Sequence, residues 1–413
     1  MSTLPGAQPR APHAPQIDLT TPPIIKTMRD RSLAIGAVAS VITLYIAFTN
    51  PTVFFRGYLV SYMDWLGICL GSMVIVMVRH MTGGGWGTVI RRILGASMRT
   101  LPLMILLFIP MLFAVPRLYP WAMPLESIAD PAIREHLEKH SFVLHDYLNY
   151  RGFVIRAIIY FAIWFVLQYL LSKFSFEHDN PPFADSSARF KIVSAPGIIL
   201  YALTISFAAI DWVMSLNPSW ISTIYGLLFV AGELVAALCF AIVIERILFK
   251  YPPMSTLLKP KFVHDHGNFL LAFVMVWAYF SFSQWLIIWA GNLPEEITWY
   301  FRRLHGGWQL VGLFLVVFHF FVPFFMLLSR SFKRDITRLV WLAAWMLVVR
   351  YIDLFWHIEP SFSATFTVTL ADIMIPFAMG GLWIAYFCHN LSSRPLVPSY
   401  DATAQDVLEP EHE

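Results

Sequence analysis

Apolar residues in this chain run in long unbroken blocks. Ten such blocks stand out, at about 32–48, 59–78, 93–115, 153–172, 196–214, 221–248, 267–290, 307–328, 337–357 and 369–390. A helix needs about 20 mainly apolar residues to cross a bilayer. At that depth only helices and closed barrels satisfy their own backbone, and blocks without strict alternation favour helices. The expected fold class is therefore an all-α polytopic membrane protein with about ten transmembrane helices. Residues 1–31, polar and Pro-rich, read as a disordered cytoplasmic tail with no cleaved signal. Residues 391–413, Pro-rich and then acidic, read as a second disordered tail, leaving 32–390 as the membrane domain.

Composition agrees with this pattern. The chain has 413 residues, of which 58% are hydrophobic and 13% charged, where a soluble domain carries about 25% charge. A net charge of +3 gives no footing for nucleic acid. The placement of the positive charges is more informative than their sum. With the N-terminus inside, inner loops and tails hold about 19 Lys and Arg and outer loops about 7, which is the positive-inside pattern. Both termini are then cytoplasmic. The long loop from Pro116 to Gly152 lies outside, and a small surface helix is one form it could take. Cys69, Cys239 and Cys388 each fall in an apolar block, and no C-x-x-C occurs, so they read as small core residues.

Two corners of the chain resemble each other. Asp211-Trp-Val-Met-Ser-Leu-Asn-Pro218-Ser joins blocks 5 and 6, and Asp353-Leu-Phe-Trp-His-Ile-Glu-Pro360-Ser joins blocks 9 and 10. The endings Leu170-Leu-Ser-Lys-Phe and Leu327-Leu-Ser-Arg-Ser-Phe are shifted by the same four blocks. An even shift preserves orientation. The expected architecture is two four-helix bundles related by a parallel repeat, with halves at about 59–214 and 221–357 and two extra helices.

Ionisable residues inside apolar blocks are costly and mark candidate chemistry. Glu233 falls near the bilayer midplane, about 20 Å below the outer end of its helix. His319 sits mid-block, and Asp211 closes block 5 near the outer surface. Arg350, Asp353 and His357 follow an i, i+3, i+7 spacing and share one helix face. Asp372 and Asp64 lie in the outer half. The inner half holds fewer such groups, chiefly Arg99 and Glu245. This distribution resembles a polar cavity open to the outside, with Glu233 and His319 at its floor. His319 could exchange a proton or hydrogen-bond a quinone carbonyl. For every one of these residues, a helix–helix hydrogen bond or ion pair is the plainer alternative. His305 and His319 could share a helix face, but no midplane His on another helix answers His319 as a second haem ligand.

Three stretches carry a family resemblance. They are Asp211 to Gly226, His264-Asp-His-Gly-Asn-Phe-Leu-Leu-Ala-Phe to Phe280, and Ser283-Gln-Trp-Leu-Ile-Ile-Trp-Ala-Gly-Asn-Leu-Pro onward to Arg302-Arg-Leu-His-Gly-Gly-Trp308. They resemble the membrane subunit of the quinol:cytochrome c oxidoreductase called alternative complex III (the ActF type). That subunit belongs to the wider NrfD-like, or polysulfide-reductase membrane-subunit, superfamily. The resemblance implies a ten-helix subunit of a respiratory complex in the bacterial inner (cytoplasmic) membrane. It implies quinol or menaquinol as reductant, with haem and iron–sulfur clusters held by partner subunits. The implied partners are an NrfD-like quinol-site subunit, an iron–sulfur subunit and multihaem cytochrome c subunits. This chain would bind no redox cofactor of its own and would contribute proton transfer and quinone contact. Glu233, His319, Asp211, Asp353, His357 and Asp372 are the candidate residues. Two other readings stay open: a stand-alone secondary transporter and a purely structural assembly subunit.

Overall fold

The computed structural model describes residues 21–128, 131–140, 146–179 and 187–396, and among them all regular structure is helical. Ten helices are long and apolar enough to cross a membrane. They are span 1 (Pro23–Thr49), span 2 (Pro51–Thr82), span 3 (Trp86–Leu118), span 4 (Tyr150–Glu177), span 5 (Ala188–Leu216), span 6 (Tyr225–Leu248), span 7 (Pro260–Gly291), span 8 (Trp308–Leu328), span 9 (Ile336–Ser361) and span 10 (Leu370–Ser392). The chain is a multi-pass membrane protein.

Several helices outrun their apolar blocks. Span 1 begins at Pro23, so residues 23–31 are helical and do not belong to a disordered tail. Span 7 likewise begins at Pro260. The physical reason is common to both. Hydropathy marks the part of a helix that sits in hydrocarbon, whereas the backbone ladder continues until a residue cannot extend it. Pro22-Pro23 and Pro260 set those starts, since proline fits the first turn, where its missing N–H costs nothing. The remainder of the two expected tails, 1–20 and 397–413, lies outside the described residues.

Spans 2 and 6 form the centre. Their most apolar windows are 89% and 78% buried, against 17% for span 1. Spans 3 and 5 pack on span 2, with span 4 against spans 3 and 5, and spans 7 and 9 pack on span 6, with span 8 against spans 7 and 9. Span 1 packs along span 10, and span 10 against span 2. The outer faces of the peripheral helices expose Val41, Phe48, Ile158, Trp289 and Phe325, as contact with lipid tails requires. Thr21 Oγ1 donates to the Ser392 carbonyl at 3.4 Å, so spans 1 and 10 start and end at the same end of the bundle. We call this the termini end, and its opposite the far end.

Span 3 is interrupted at Arg99–Thr100 because Pro102 cannot donate to the carbonyl of Met98. Arg99 turns away from carboxylates. It donates to Ser393 Oγ at 3.2 Å and to the Asn390 carbonyl, where the end of span 10 favours a cation. At the far end the segment after Tyr119 includes a short helix, Pro131–Lys139, and a second helix, Pro294–Arg303, joins spans 7 and 8. The two Asp-x6-Pro-Ser corners meet there: Asn217 Nδ2 donates to Ser361 Oγ at 2.8 Å.

Candidate functional site

The polar centre forms where spans 2, 5, 6, 7 and 9 converge. Glu233, on span 6, is buried, and its Oε2 accepts from the hydroxyl of Tyr201 on span 5. Its other oxygen, Oε1, has no hydrogen-bond partner among the described residues. The preceding residue is Gly232, and the Arg350 guanidinium of span 9 lies in the space a Cβ there would need. A small residue on span 6 thus lets an arginine from span 9 reach the backbone beside Glu233.

Arg350 Nη1 donates to Asp353 Oδ2, one turn along span 9, and both residues are buried. Trp277 of span 7 donates its indole N–H to the same oxygen at 3.2 Å. The other carboxylate oxygen, Oδ1, faces His357 Nε2 at 3.7 Å. The i, i+3, i+7 spacing therefore does place Arg350, Asp353 and His357 on one face, and that face is turned inward. Asp64 of span 2 is half-buried and within electrostatic range of Arg350.

His319 reaches this group through a ring contact. Its imidazole meets Trp277 edge-on, with centroids 3.8 Å apart, and neither ring nitrogen has a hydrogen-bond partner among the described residues. The local cause is Pro323. Residues Val316–Phe321 form a wide π turn, in which each carbonyl looks for an N–H five residues on. For Phe318 that position is Pro323, which has no N–H. The indole of Trp345 on span 9 takes its place, donating to the Phe318 carbonyl at 3.3 Å.

The remaining candidates lie elsewhere. Asp211 is buried in a two-pronged pair with Arg156, at 2.7 and 3.0 Å, and accepts from the Tyr160 hydroxyl at 2.8 Å. It belongs to a corner that ties the far-end loop down. Arg156 also donates to the Tyr147 carbonyl at 2.9 Å, and Tyr119 donates to the Trp212 carbonyl at 2.8 Å. Asp211 sits about 15 Å along span 5 from Tyr201, and no hydrogen bond or ion pair among the described residues links it to Arg350. Asp372 stands in the first turn of span 10. It accepts from the Thr369 backbone N–H at 2.7 Å and from the Thr369 hydroxyl at 2.8 Å, in a capping box.

Beside the Arg350 group lies a cavity of about 630 Å³ between spans 7, 8 and 9. Asp353 and His357 are in its inner wall, and Trp277 separates it from His319. The helix Pro294–Arg303 closes its far end with Trp299, Tyr300 and Arg303. Arg303 is buried and stacks on Trp299 at 3.4 Å. It donates to three carbonyls: Trp299 at 2.9 Å, Trp356 at 3.2 Å and His357 at 2.6 Å. Phe282, Trp285, Leu313 and Phe321 form the rim and are exposed, so the mouth opens sideways toward lipid.

A second polar pair lies toward the termini end. His266 Nδ1 is 3.1 Å from Glu245 Oε2, and its Nε2 faces the Trp86 carbonyl at 2.9 Å. Both side chains are buried. With an acceptor on each side, the ring is satisfied only if both nitrogens carry hydrogen or the carboxyl is protonated. The half toward the termini end, where the sequence pointed chiefly to Arg99 and Glu245, therefore holds more ionisable groups than expected. Arg91, Arg92 and Lys333 are buried there as well. His266 escaped the hydropathy pattern because it precedes the apolar block of span 7. Among the described residues, no group of three or more His, Cys, Asp or Glu side chains converges to hold a metal ion.

Sequence reasoning also missed Tyr201, Trp277 and Arg303. Tyr and Trp are ordinary inside apolar helices, and nothing in their spacing marks them. One signal was available for Asp372: Thr369-x-x-Asp just ahead of an apolar run reads as a helix start. Compared with known proteins, the chain matches no protein-family model and no curated protein sequence.

Proposed function

We propose that this chain is an integral membrane subunit of a bacterial respiratory quinol:cytochrome c oxidoreductase of the alternative complex III type, and that it carries protons within that complex. It would lie in the bacterial cytoplasmic membrane with both termini cytoplasmic. The family resemblance of Asp211–Trp308 supports the complex. The observation that carries the proton role is the buried row of Tyr201, Glu233, Arg350, Asp353 and His357 in the far half. Buried carboxylates that hold only one or two hydrogen bonds can change protonation without dismantling a helix.

In this reading His357 and Asp353 exchange protons at the cavity wall, and Glu233 with Tyr201 forms the inner station. Arg350, bonded to Asp353 and seated against Gly232 beside Glu233, joins the two stations. Haem and iron–sulfur groups belong to the partner subunits. We also read the two helix groups as products of duplication. The grouping of spans 2–5 and 6–9 supports this, as does the meeting of the two corners through Asn217 and Ser361.

Gentle extraction of the C-terminally tagged chain tests the reading. Co-purification with multihaem and iron–sulfur subunits and with quinol-oxidising activity is expected. A lone, colourless protein that stays intact would overturn it. In the assembled complex, Glu233→Gln should lower proton release per quinol oxidised at unchanged subunit yield, and Asp353→Asn, which also removes the partner of Arg350, should lower it in the complex that still assembles. Unchanged proton release would remove the proton role.

A further inference from the structure

The termini end gathers arginines that neither the Arg350 group nor the cavity uses. Arg92 and Arg99 stand seven residues apart on the first part of span 3, two helical turns, which puts both on one face. Arg394 follows the end of span 10. Span 4 supplies the surface that holds them. Ser175 Oγ accepts from Arg92 Nη1 at 3.1 Å, and the Ser172 carbonyl accepts from Arg394 Nη2 at 3.3 Å. Arg99 reaches span 10 and donates to Ser393 Oγ at 3.2 Å. Three arginines from two helices are thereby drawn together, close enough that the charges of Arg92 and Arg394 both act on Arg99. Glu177, two residues past Ser175, is engaged by Arg189 and Lys173 at 3.3 and 3.9 Å.

We propose that Arg92, Arg99 and Arg394 bind the phosphate of an anionic phospholipid in the leaflet at the termini end. Like charges held this close repel one another, and an anion that touches more than one of them relieves that cost. The planar guanidinium also matches two phosphate oxygens at once. Arg99 spends three N–H groups, on the Gly95 carbonyl, Ser393 Oγ and the Asn390 carbonyl, and keeps the rest of its five for another acceptor. The level is that of a headgroup. Span 10 has 23 residues, about 35 Å, which is the length of one crossing, so its last turn marks the membrane surface. Arg99 meets that turn at Asn390 and Ser393. The neighbouring surface favours a lipid over a free phosphate. The Arg394 guanidinium lies 5.3 Å from the ring centroid of Phe176, which is exposed. Tyr169, two turns away on the same face of span 4, is exposed as well, so acyl chains have an apolar stripe beside the headgroup. Basic groups between helices at a membrane surface are the usual recognition chemistry for anionic headgroups.

This site is independent of the proton role and needs no partner subunit. It is tested by native mass spectrometry of the delipidated full-length chain. The probes are phosphatidylglycerol, phosphatidylcholine and inorganic phosphate. Phosphatidylglycerol should bind saturably, with a half-saturation about fivefold below that of phosphatidylcholine, and excess inorganic phosphate should not displace it. Arg394→Gln and Arg99→Gln should each weaken phosphatidylglycerol about fivefold. Lys261→Gln, at an exposed lysine of the same end, should leave it unchanged. A phosphatidylglycerol with a photoreactive headgroup should label residues 92–99, 172–176 and 390–394, a readout that needs no variant to fold. Displacement by inorganic phosphate would overturn the lipid and make the ligand a soluble anion. Equal weakening by Lys261→Gln, or labelling confined to other residues, would overturn the site.

Discussion

The guanidinium of Arg350 fills the place where Gly232 would carry a side chain. This contact joins span 9 to span 6 one residue before the buried Glu233, and it makes glycine the residue that admits the arginine. Gly232→Ala should therefore push Arg350 off its seat and strain its bond to Asp353. Overpacking of this kind costs about 1–3 kcal/mol. Thermal unfolding in mild detergent should show the loss, and an unchanged midpoint would mean that Arg350 has room to move.

Arg350 and Asp353 should behave as a pair. Removing one partner leaves a buried charge uncompensated, at about 3–5 kcal/mol, whereas apolar replacement of both is far milder. Arg350→Met alone should cut the yield of folded protein sharply. The double variant with Asp353→Leu should recover most of it. Additive losses across this double-mutant cycle would show that the two side chains act independently.

Asp211 should matter for the far-end loop and little for the Arg350 group. Asp211→Asn weakens two bonds to Arg156, which in turn holds Tyr147. Hydrogen exchange around Tyr147 to Arg156 should speed up, with an opening cost lowered by about 1–3 kcal/mol. Exchange near Glu233 should stay as it was. Faster exchange on span 6 would reveal a coupling that the geometry lacks.

Tyr201 is the sole hydrogen-bond donor to Glu233 among the described residues. Tyr201→Phe keeps the ring and removes the hydroxyl. The carboxyl then loses a hydrogen bond worth about 1–3 kcal/mol. Infrared difference spectra should show the carboxyl band that vanishes in Glu233→Gln moved in frequency in Tyr201→Phe. No change in that band would separate Tyr201 from Glu233.

The pair near the termini end makes a comparable prediction. His266→Ala removes the partner of buried Glu245 and should destabilise the protein by several kcal/mol. Glu245→Gln leaves an uncharged group there and should cost less. Equal losses in thermal unfolding would show that the histidine contributes packing alone.

Much of the frame was legible in the sequence because the bilayer imposes a length and a polarity on every crossing. Ten apolar blocks became ten helices. The shared face of Arg350, Asp353 and His357 followed from helical spacing, a property of one element. The same logic failed where an apolar block and a helix differ, as in the early start of span 1 at Pro23. It also passed over the local reading of Asp372, whose Oδ2 takes part in the cap of span 10.

What tertiary structure alone decided is which polar side chains meet. Tyr201 and Glu233 sit on different helices, as do Trp277 and Asp353, or Arg350 and Gly232. Their contacts depend on how helices rotate and cross, and periodicity within one helix carries no record of either. The cavity is a further step removed, since it is the space left where spans 7, 8 and 9 fail to close. The sequence by itself determined the helices, their number and the polar residues placed at membrane depth, because hydrocarbon acts on each segment separately. Packing between helices decided which of those residues became a cap, a structural pair or a candidate site, because each role needs a partner distant in the chain.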